Sequence, residues 1–439
     1  MLGFSMIQLV WQNSHKFDRN LREKIIHLYH PYRHIPCFLH RPLEHFTKKT
    51  KKFSVIIEFD QEAESFTSCL KNTHQYLIRE SGSKIEHEFP SISCCSATLT
   101  ASTIEKLINR HPNIKKIHDD RQVKAYLNVA SPSIHAPQLN KAGIDGKNIN
   151  IAIVDTGVYP HPDLTRSTNR IVAFKDFVNH KKKPYDDNGH GTHCAGDAAG
   201  NGFASDGKYC GPAPGAGIVG VKVLNQMGSG SLSTIVAGIQ WCIDHQSKYH
   251  IDVISMSLGA EADPSNCDDP LVQIVEKAWE KGFVVCVAAG NSGPDKKTVG
   301  TPGISPKVIT VGAIDDKNTA DRSDDEIASF SSRGPACGDV PKPDLLAPGV
   351  NIVSLRAPGS FLDKTQKSSR VGQNYLSLSG TSMATPICAG VTALVLQAHP
   401  DYSPDQVKQH LMKGADDKGL PRYAEGAGYI NAKKSVKKI

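Results

Sequence analysis

Three short segments carry the side chains that could perform covalent chemistry together. Asp155 closes the apolar run Ile149 to Val154 and precedes Thr156 and Gly157. That places a carboxylate at the carboxyl end of a buried strand, the edge at which open α/β sheets hold their ligands. His190 lies in DDNGHGTHCAGD, Asp186 to Asp197, between two glycines that let other backbone approach the imidazole closely. Ser382 lies in SGTSMATPICAG, Ser379 to Gly390, where a glycine-bearing turn meets a helix of small residues. The N–H groups and dipole at such a helix start favour a developing oxyanion. A hydroxyl, an imidazole and a carboxylate are the groups of nucleophilic acyl transfer, in which the imidazole takes the hydroxyl proton and the carboxylate fixes its tautomer.

Each segment also has a plainer reading. An Asp at a strand end commonly caps a turn, a Ser at a helix start is usually an N-cap, and Asn291, after Gly290, is a common turn residue. His190 and His193 followed by Cys194 resemble a metal site, but zinc would need further ligands at tetrahedral spacing. His193 is therefore expected to be structural, and Cys194 a small buried thiol.

The elements that must position these groups fall into two regions. From Phe53 to about Tyr126 the pattern predicts strand 53–59, helix 64–79, strands 85–89 and 93–99, helix 102–110 and strand 114–118, with Ser102 and Glu105 at capping-box spacing. This order is a small βαββαβ, ferredoxin-like unit. Residues 127–147, with Pro132, Pro137 and Gly146, read as a linker. Residues 148–439 read as α/β with a mostly parallel sheet, from strands near 149–154, 218–224, 252–257, 283–289 and 308–311 and helices near 231–246 and 270–281. Ser403, Pro404 and Gln406 announce a late helix.

Composition narrows the class. The 439 residues, 39% of them hydrophobic, suffice for one large domain and a smaller companion. No run approaches the roughly 18 apolar residues of a membrane span, so no transmembrane segment is expected. The apolar run Met1 to Trp11 has no preceding Lys or Arg, is interrupted by Ser5 and Gln8 and leads to no small-residue cleavage site, which points to an amphipathic arm and a cytoplasmic location. Eleven cysteines without a CxxC pair fit free thiols, and the adjacent Cys94 and Cys95 would face opposite sides of a strand. The net charge of +7 is concentrated in residues 1–52, which hold ten Lys/Arg against three Asp/Glu. This basic N-terminal arm is expected to be solvated or docked on a surface. Nothing suggests nucleic acid as a partner.

Taken together, VDTG (154–157), GHGTHCAG (189–196) and GTSMATP (380–386) resemble the subtilisin-like serine proteases, peptidase family S8. The likeness spans about residues 134–431, and PYDDNGHGTHCAGD and SSRGPACGDVPKPDLLAPG suggest a branch with a long N-terminal region. It implies a three-layer α/β fold with a mostly parallel central sheet and a serine endopeptidase acting through an acyl-enzyme. Ser382 would be the nucleophile, His190 the general base, Asp155 its orienting partner and Asn291 the oxyanion-hole side chain. Gly228, Ser229 and Gly230 would form the strand on which an extended polypeptide substrate lies. Ser257, Leu258 and Gly259 with Ala288 and Gly290 would flank the primary specificity pocket, with Ser292 and Gly300 at its wall and rear. Neither of the last two is acidic, so the pocket is expected to be apolar.

By the same likeness, residues 53–126 would be a propeptide acting as intramolecular chaperone and inhibitor, cut away within about Lys124 to Gly146. No cofactor is implied for the chemistry. Structural calcium is a family habit, with Asp163 of HPDL at a matching position, although the loop Asn201 to Gly211 departs from the usual ligand pattern. Two rivals are a binding protein on an inactive protease fold and an esterase using the same three residues.

Overall fold

The computed structural model describes residues 4–437 apart from 37–39, 61–63, 79–81, 91–92, 120–126 and 261–268. The chain divides into two compact units, Met1–Val123 and Lys124–Ile439.

In the first unit, strands β1 (Lys52–Phe59), β2 (Lys84–Phe89), β3 (Cys94–Thr100) and β4 (Ile114–Asp119) form an antiparallel sheet in the order β2-β3-β1-β4. Helices Phe66–Ile78 and Ala101–Arg110 complete the βαββαβ order. The second of these helices is capped by Thr100, whose hydroxyl accepts the Thr103 N–H at 3.2 Å, and not by Ser102. Glu105 instead pairs with Lys48 at 2.8 Å.

Residues 1–52 are not a solvated arm. They hold helices Ser5–Gln12, Arg19–Tyr29 and His40–Thr50, and they bury Met6, Leu9, Val10, Leu21, Ile25 and Tyr29 in the same core as Val55, Ile57, Leu99 and Ile104. Leu21, Ile25 and Tyr29 recur every four residues, so one apolar stripe faces the core while Glu23, Lys24 and His27 between them are exposed.

The second unit is built on strands β5 (Asn150–Asp155), β6 (Ile171–Asp176), β7 (Gly217–Lys222), β8 (Ile251–Met256), β9 (Val284–Ala288), β10 (Ile309–Asp315), β11 (Glu326–Ile327) and β12 (Leu345–Pro348). Their order is β11-β10-β9-β8-β5-β7-β6, with β12 also paired to β10, and every pairing is parallel except β10 with β11. Helices cover the sheet, which explains why β5 and β7 read as continuous apolar runs and not as alternating ones.

The 18-residue helix Thr381–Ala398 is long and apolar enough to cross a membrane, yet 83% of it is buried; it is the central helix of this core. A small antiparallel sheet, β13 (Ile352–Leu355), β14 (Arg370–Val371) and β15 (Tyr375–Leu378), lies on the same unit. The helix Pro404–Gly414 starts with the expected capping box of Ser403 and Gln406. Residues 127–147 are not a free linker: helices Leu127–Ser133 and Ala136–Lys141 place Ala130, Ile134, Ala136 and Leu139 in the core.

Candidate active site

Asp155 ends β5 at the carboxyl edge of the sheet and is fully buried. Its Oδ1 accepts the Thr156 N–H at 2.7 Å and lies 2.8 Å from His190 Nδ1. His190 opens the helix His190–Ala199, which can sit this close to β5 because of one missing side chain. A Cβ on Gly191 would lie 2.3 Å from the Gly157 carbonyl and 3.1 Å from Asp155 Cβ. Gly189 supplies the φ of +105° that turns the loop into the helix.

The loop itself is shaped by Asp186. This buried carboxylate accepts the N–H groups of Asn188, Gly189 and Thr192 at 3.1, 2.8 and 2.9 Å, and the hydroxyls of Thr156 and Thr192 at 3.0 and 2.6 Å. Thr156 Oγ1 in turn accepts the Gly191 N–H at 2.9 Å. Asp186 thus joins the Asp155 strand to the His190 helix, a role its position in DDNG did not reveal.

The imidazole is 22% exposed, facing the cleft, while its Asp155 partner is closed off from water. Burial alone would push the His190 pKa down, but the Asp155 carboxylate more than offsets this and holds it well above the ordinary histidine value. Cys194, one helical turn on, lies fully buried beneath the pair, with its Sγ 3.8 Å from His190 Nδ1, 4.0 Å from Asp155 Oδ2 and 3.5 Å from the Ser382 carbonyl. Burial pushes its thiol up to about 11. It is a protonated packing group, not a thiolate. His193 points away from this cluster, to Asp197 at 2.9 Å and the carbonyls of Ile352 and Leu376 at 3.1 and 3.0 Å, so the two histidines converge on no common ion.

Ser382 is the second residue of the central helix. Its Oγ donates to the Ser257 carbonyl at 3.2 Å, and its own carbonyl accepts the Ser257 hydroxyl at 2.7 Å. The Ser382 hydroxyl thus lines the cleft bonded to Ser257, and no hydrogen bond joins it to His190 among the described residues. Asn291 is held by its acceptor end: Oδ1 takes the Thr381 N–H at 2.9 Å and the Thr381 hydroxyl at 3.1 Å. Nδ2 has no hydrogen-bond acceptor among the described residues, and Asn291 and Ser382 line the same cleft. Thr381, which the sequence did not single out, fixes that orientation.

His190, Ser382 and Asn291 line one cleft of about 850 Å³. The same cleft is lined by Gly228, Ser229 and Gly230 from the loop after β7, by Ser257, Leu258 and Gly259 after β8, by Ala288, Gly290 and Ser292 after β9, and by Gly300. All follow the carboxyl ends of parallel strands except Gly300. Its one acidic lining residue among those described, Asp269, is occupied in capping helix Pro270–Glu280 through the Leu271 N–H at 2.7 Å.

The sequence pattern of the subtilase family matches residues 146–429. The chain belongs to the subtilase family. Serine protease AprX of Bacillus subtilis (strain 168) is 51% identical over 99% of both chains, and subtilisin E of the same strain is 33% identical over 88% of this chain and 90% of its own. Among solved structures, sphericase covers 65% of this chain and 92% of its own length at 31% identity, with a TM-score of 0.54. This subtilase is accordingly a serine protease, a hydrolase of peptide bonds, and subtilases need no cofactor for catalysis.

The expected cytoplasmic location is overturned by these relatives, because the subtilisins group with secreted extracellular proteases. The residues that suggested it have a structural role: Met6, Leu9 and Val10 are core residues of the first unit.

Asp163 does not fit calcium. Its Oδ1 accepts the Ala204 N–H and its Oδ2 the Tyr375 hydroxyl, both at 2.9 Å, while the Arg170 guanidinium donates to its carbonyl. Each carboxylate oxygen already has a protein donor, and the Arg170 guanidinium lies against the main-chain carbonyl of the same residue.

Proposed function

We propose that this subtilase is an endopeptidase of broad specificity with Ser382 as nucleophile, His190 as general base and then general acid, Asp155 as the orienting carboxylate, and Asn291 with the Ser382 N–H as the oxyanion site. The observation that carries this reading is the 2.8 Å contact of a buried Asp155 with a His190 ring that is open to the cleft holding Ser382 and Asn291. Rotation about Ser382 χ1 takes Oγ from the Ser257 carbonyl to His190 Nε2, which accepts its proton as Oγ attacks the scissile carbonyl carbon. Asn291 Nδ2 and the Ser382 N–H receive the oxyanion. Collapse passes the His190 proton to the leaving amine, and a water activated by the same ring then hydrolyses the acyl-enzyme.

Gly228 to Gly230 on one side and Ser257 to Gly259 on the other offer backbone edges to an extended chain, a mode that tolerates any sequence. Leu258, Ala288, Gly290 and Gly300 give the pocket beside Ser382 an apolar lining. It suits an apolar residue on the acyl side of the cut. The first unit acts as intramolecular chaperone and inhibitor, and cleavage that releases it falls before Leu127, because cutting later would remove Ala130 or Ile134 from the core. Within the expected processing range, 124–126 lie outside the described residues.

A fluorophosphonate probe followed by mass-spectrometric mapping tests the centre. Labelling at Ser382, abolished in Ser382→Ala together with casein hydrolysis, is expected; label at any other residue refutes the assignment. In a peptide series, kcat/KM for Leu or Phe before the cut is expected to exceed that for Arg or Asp by tenfold or more.

A further inference from the structure

Between β10 and β11 the chain makes an excursion, 316–325, closed at its base by an antiparallel ladder in which Ile314 lies opposite Ile327 and Asp315 opposite Glu326. Continued one step beyond these pairs, the same register would set Asp316 opposite Asp325. Opposed residues have Cβ atoms about 4.5–5.5 Å apart, and successive pairs point to alternate faces. On the outer face the carboxylates are neutralised: Lys317 Nζ lies 3.1 Å from Asp315 Oδ2 and 2.9 Å from Glu326 Oε2.

The inner face has no such bridge. Asp316 and Asp325 are only 2% and 5% exposed, on the side of the buried Ile314. Asp316 Oδ1 accepts the Asn318 N–H at 3.1 Å, but Asp316 Oδ2 and both oxygens of Asp325 meet no donor among the described residues. The nearby cations are engaged elsewhere. Arg322 donates to Asp416 at 2.8 Å and to the Tyr429 carbonyl at 3.2 Å and stacks 3.6 Å from the Tyr429 ring centre, and Lys418 Nζ donates to the Arg322 carbonyl at 2.7 Å. Burial, reinforced by the Asp325 and Asp315 carboxylates, pushes Asp316 up to about 7, and burial pushes Asp325 up to about 6 although the charges of Lys418 and Arg322 act against it.

Carboxylate oxygens buried without a donor are costly, and their commonest remedies are a shared proton or a cation. We propose that Asp316 and Asp325 together bind a calcium ion, at a site separate from Asp163 and from the catalytic cleft. Two opposed carboxylates match a divalent charge. With oxygen donors alone they suit a hard cation and not zinc or copper, and the flexible coordination of calcium tolerates a site completed by water and backbone carbonyls. The ion would tie the two ends of the 316–325 excursion together, as Lys317 does on the outer face.

The test uses the full chain carrying Ser382→Ala, so that it does not digest itself. After chelation it is titrated with calcium chloride at pH 8 while thermal unfolding is followed by circular dichroism. A saturable rise in Tm of several degrees is expected, with the half-saturating calcium raised at least tenfold by Asp316→Asn or Asp325→Asn, each of which removes charge without changing volume. Hydrogen exchange on the unsubstituted site gives a second readout that needs no variant to fold: calcium should slow exchange of the 314–327 amides at least tenfold. The proposal is overturned if chelated and calcium-loaded protein unfold at the same temperature, if both asparagine variants keep the parent's titration, or if calcium protects only amides elsewhere. It is equally overturned if acidification from pH 8 to pH 6 stabilises the chelated protein and calcium adds nothing, which is the result for a shared proton.

Discussion

Replacing Thr381 by valine tests the proposed oxyanion site through a residue that holds Asn291. Thr381 is 1% exposed; its hydroxyl donates to Asn291 Oδ1 at 3.1 Å and accepts the Gly290 N–H at 3.3 Å. Valine keeps the shape and loses both bonds, while the Thr381 N–H still holds Asn291 Oδ1 at 2.9 Å. A net hydrogen bond in such a setting is worth about 0.5–1.5 kcal/mol. Losing two of them should therefore misplace the Asn291 amide at a cost of about 1–2 kcal/mol in the transition state, a 5- to 30-fold fall in kcat. The upper bound is complete removal of the donor, which costs about 10²–10³ for the oxyanion asparagine of a subtilisin, a relative of this chain. KM should stay within twofold, because the oxyanion forms only during reaction. Steady-state kinetics on one peptide, with Thr381→Val, Asn291→Leu and the double variant, complete a cycle. If Thr381 acts through Asn291, adding Thr381→Val to Asn291→Leu lowers kcat no further. Additive losses, or a KM effect larger than the kcat effect, refute the reasoning.

Asp155→Asn should lower kcat by roughly 10⁴, because an amide beside Nδ1 favours the wrong tautomer. Only neutral His190 can take the Ser382 proton, so kcat/KM should fall as pH drops through the raised His190 pKa, and this limb should move to lower pH in Asp155→Asn; a profile flat from pH 6 to 9 contradicts the charge coupling. Cys194, buried and with its thiol pushed up to about 11, should resist iodoacetamide at pH 8 in the native enzyme and react on denaturation, as read by peptide mass; native labelling with loss of activity would show that it is accessible. Lys408 donates to the carbonyls of Pro306, Lys307 and Val308 at 3.1, 3.0 and 3.0 Å and pairs with Asp344 at 2.9 Å. Lys408→Met should destabilise the second unit by roughly 3 kcal/mol in denaturant unfolding, less than an isolated buried pair because Lys342 still neutralises Asp344.

Periodicity was enough to read most of the fold. Strands buried on both faces announce a parallel sheet by unbroken apolar runs, and Ile149 to Val154 shows this plainly. Misreadings came where composition stood in for packing. The lysines and arginines of residues 1–52 suggested a solvated arm, although Leu21, Ile25 and Tyr29 carry a helical stripe that needs a core to cover it. Pro132 and Pro137 suggested a linker, although Ala130, Ile134 and Leu139 hold that segment in the second unit. Ser102 fitted a capping box, but Thr100 stands at the true junction of β3 with its helix, two residues earlier, where local spelling cannot separate candidates.

Asp155 and His190 could be placed side by side from sequence because the close approach of their elements is written locally in glycine: a Cβ at Gly191 would strike the Gly157 carbonyl. The groups that hold them in place have no such local mark. Asn291 and Thr381 are 90 residues apart in sequence, so the bond that holds the Asn291 amide exists only once β9 and the central helix are neighbours. Asp316 and Asp325 look like any solvated acidic loop until the β10–β11 ladder closes beside them and burial removes their water. Local spelling therefore marks the chemistry, whereas its supports are set by tertiary contacts. For that reason the perturbations that discriminate best in this protein are at Thr381 and at the Asp316–Asp325 pair, where a conservative side-chain change alters one long-range contact and leaves the reacting groups in place.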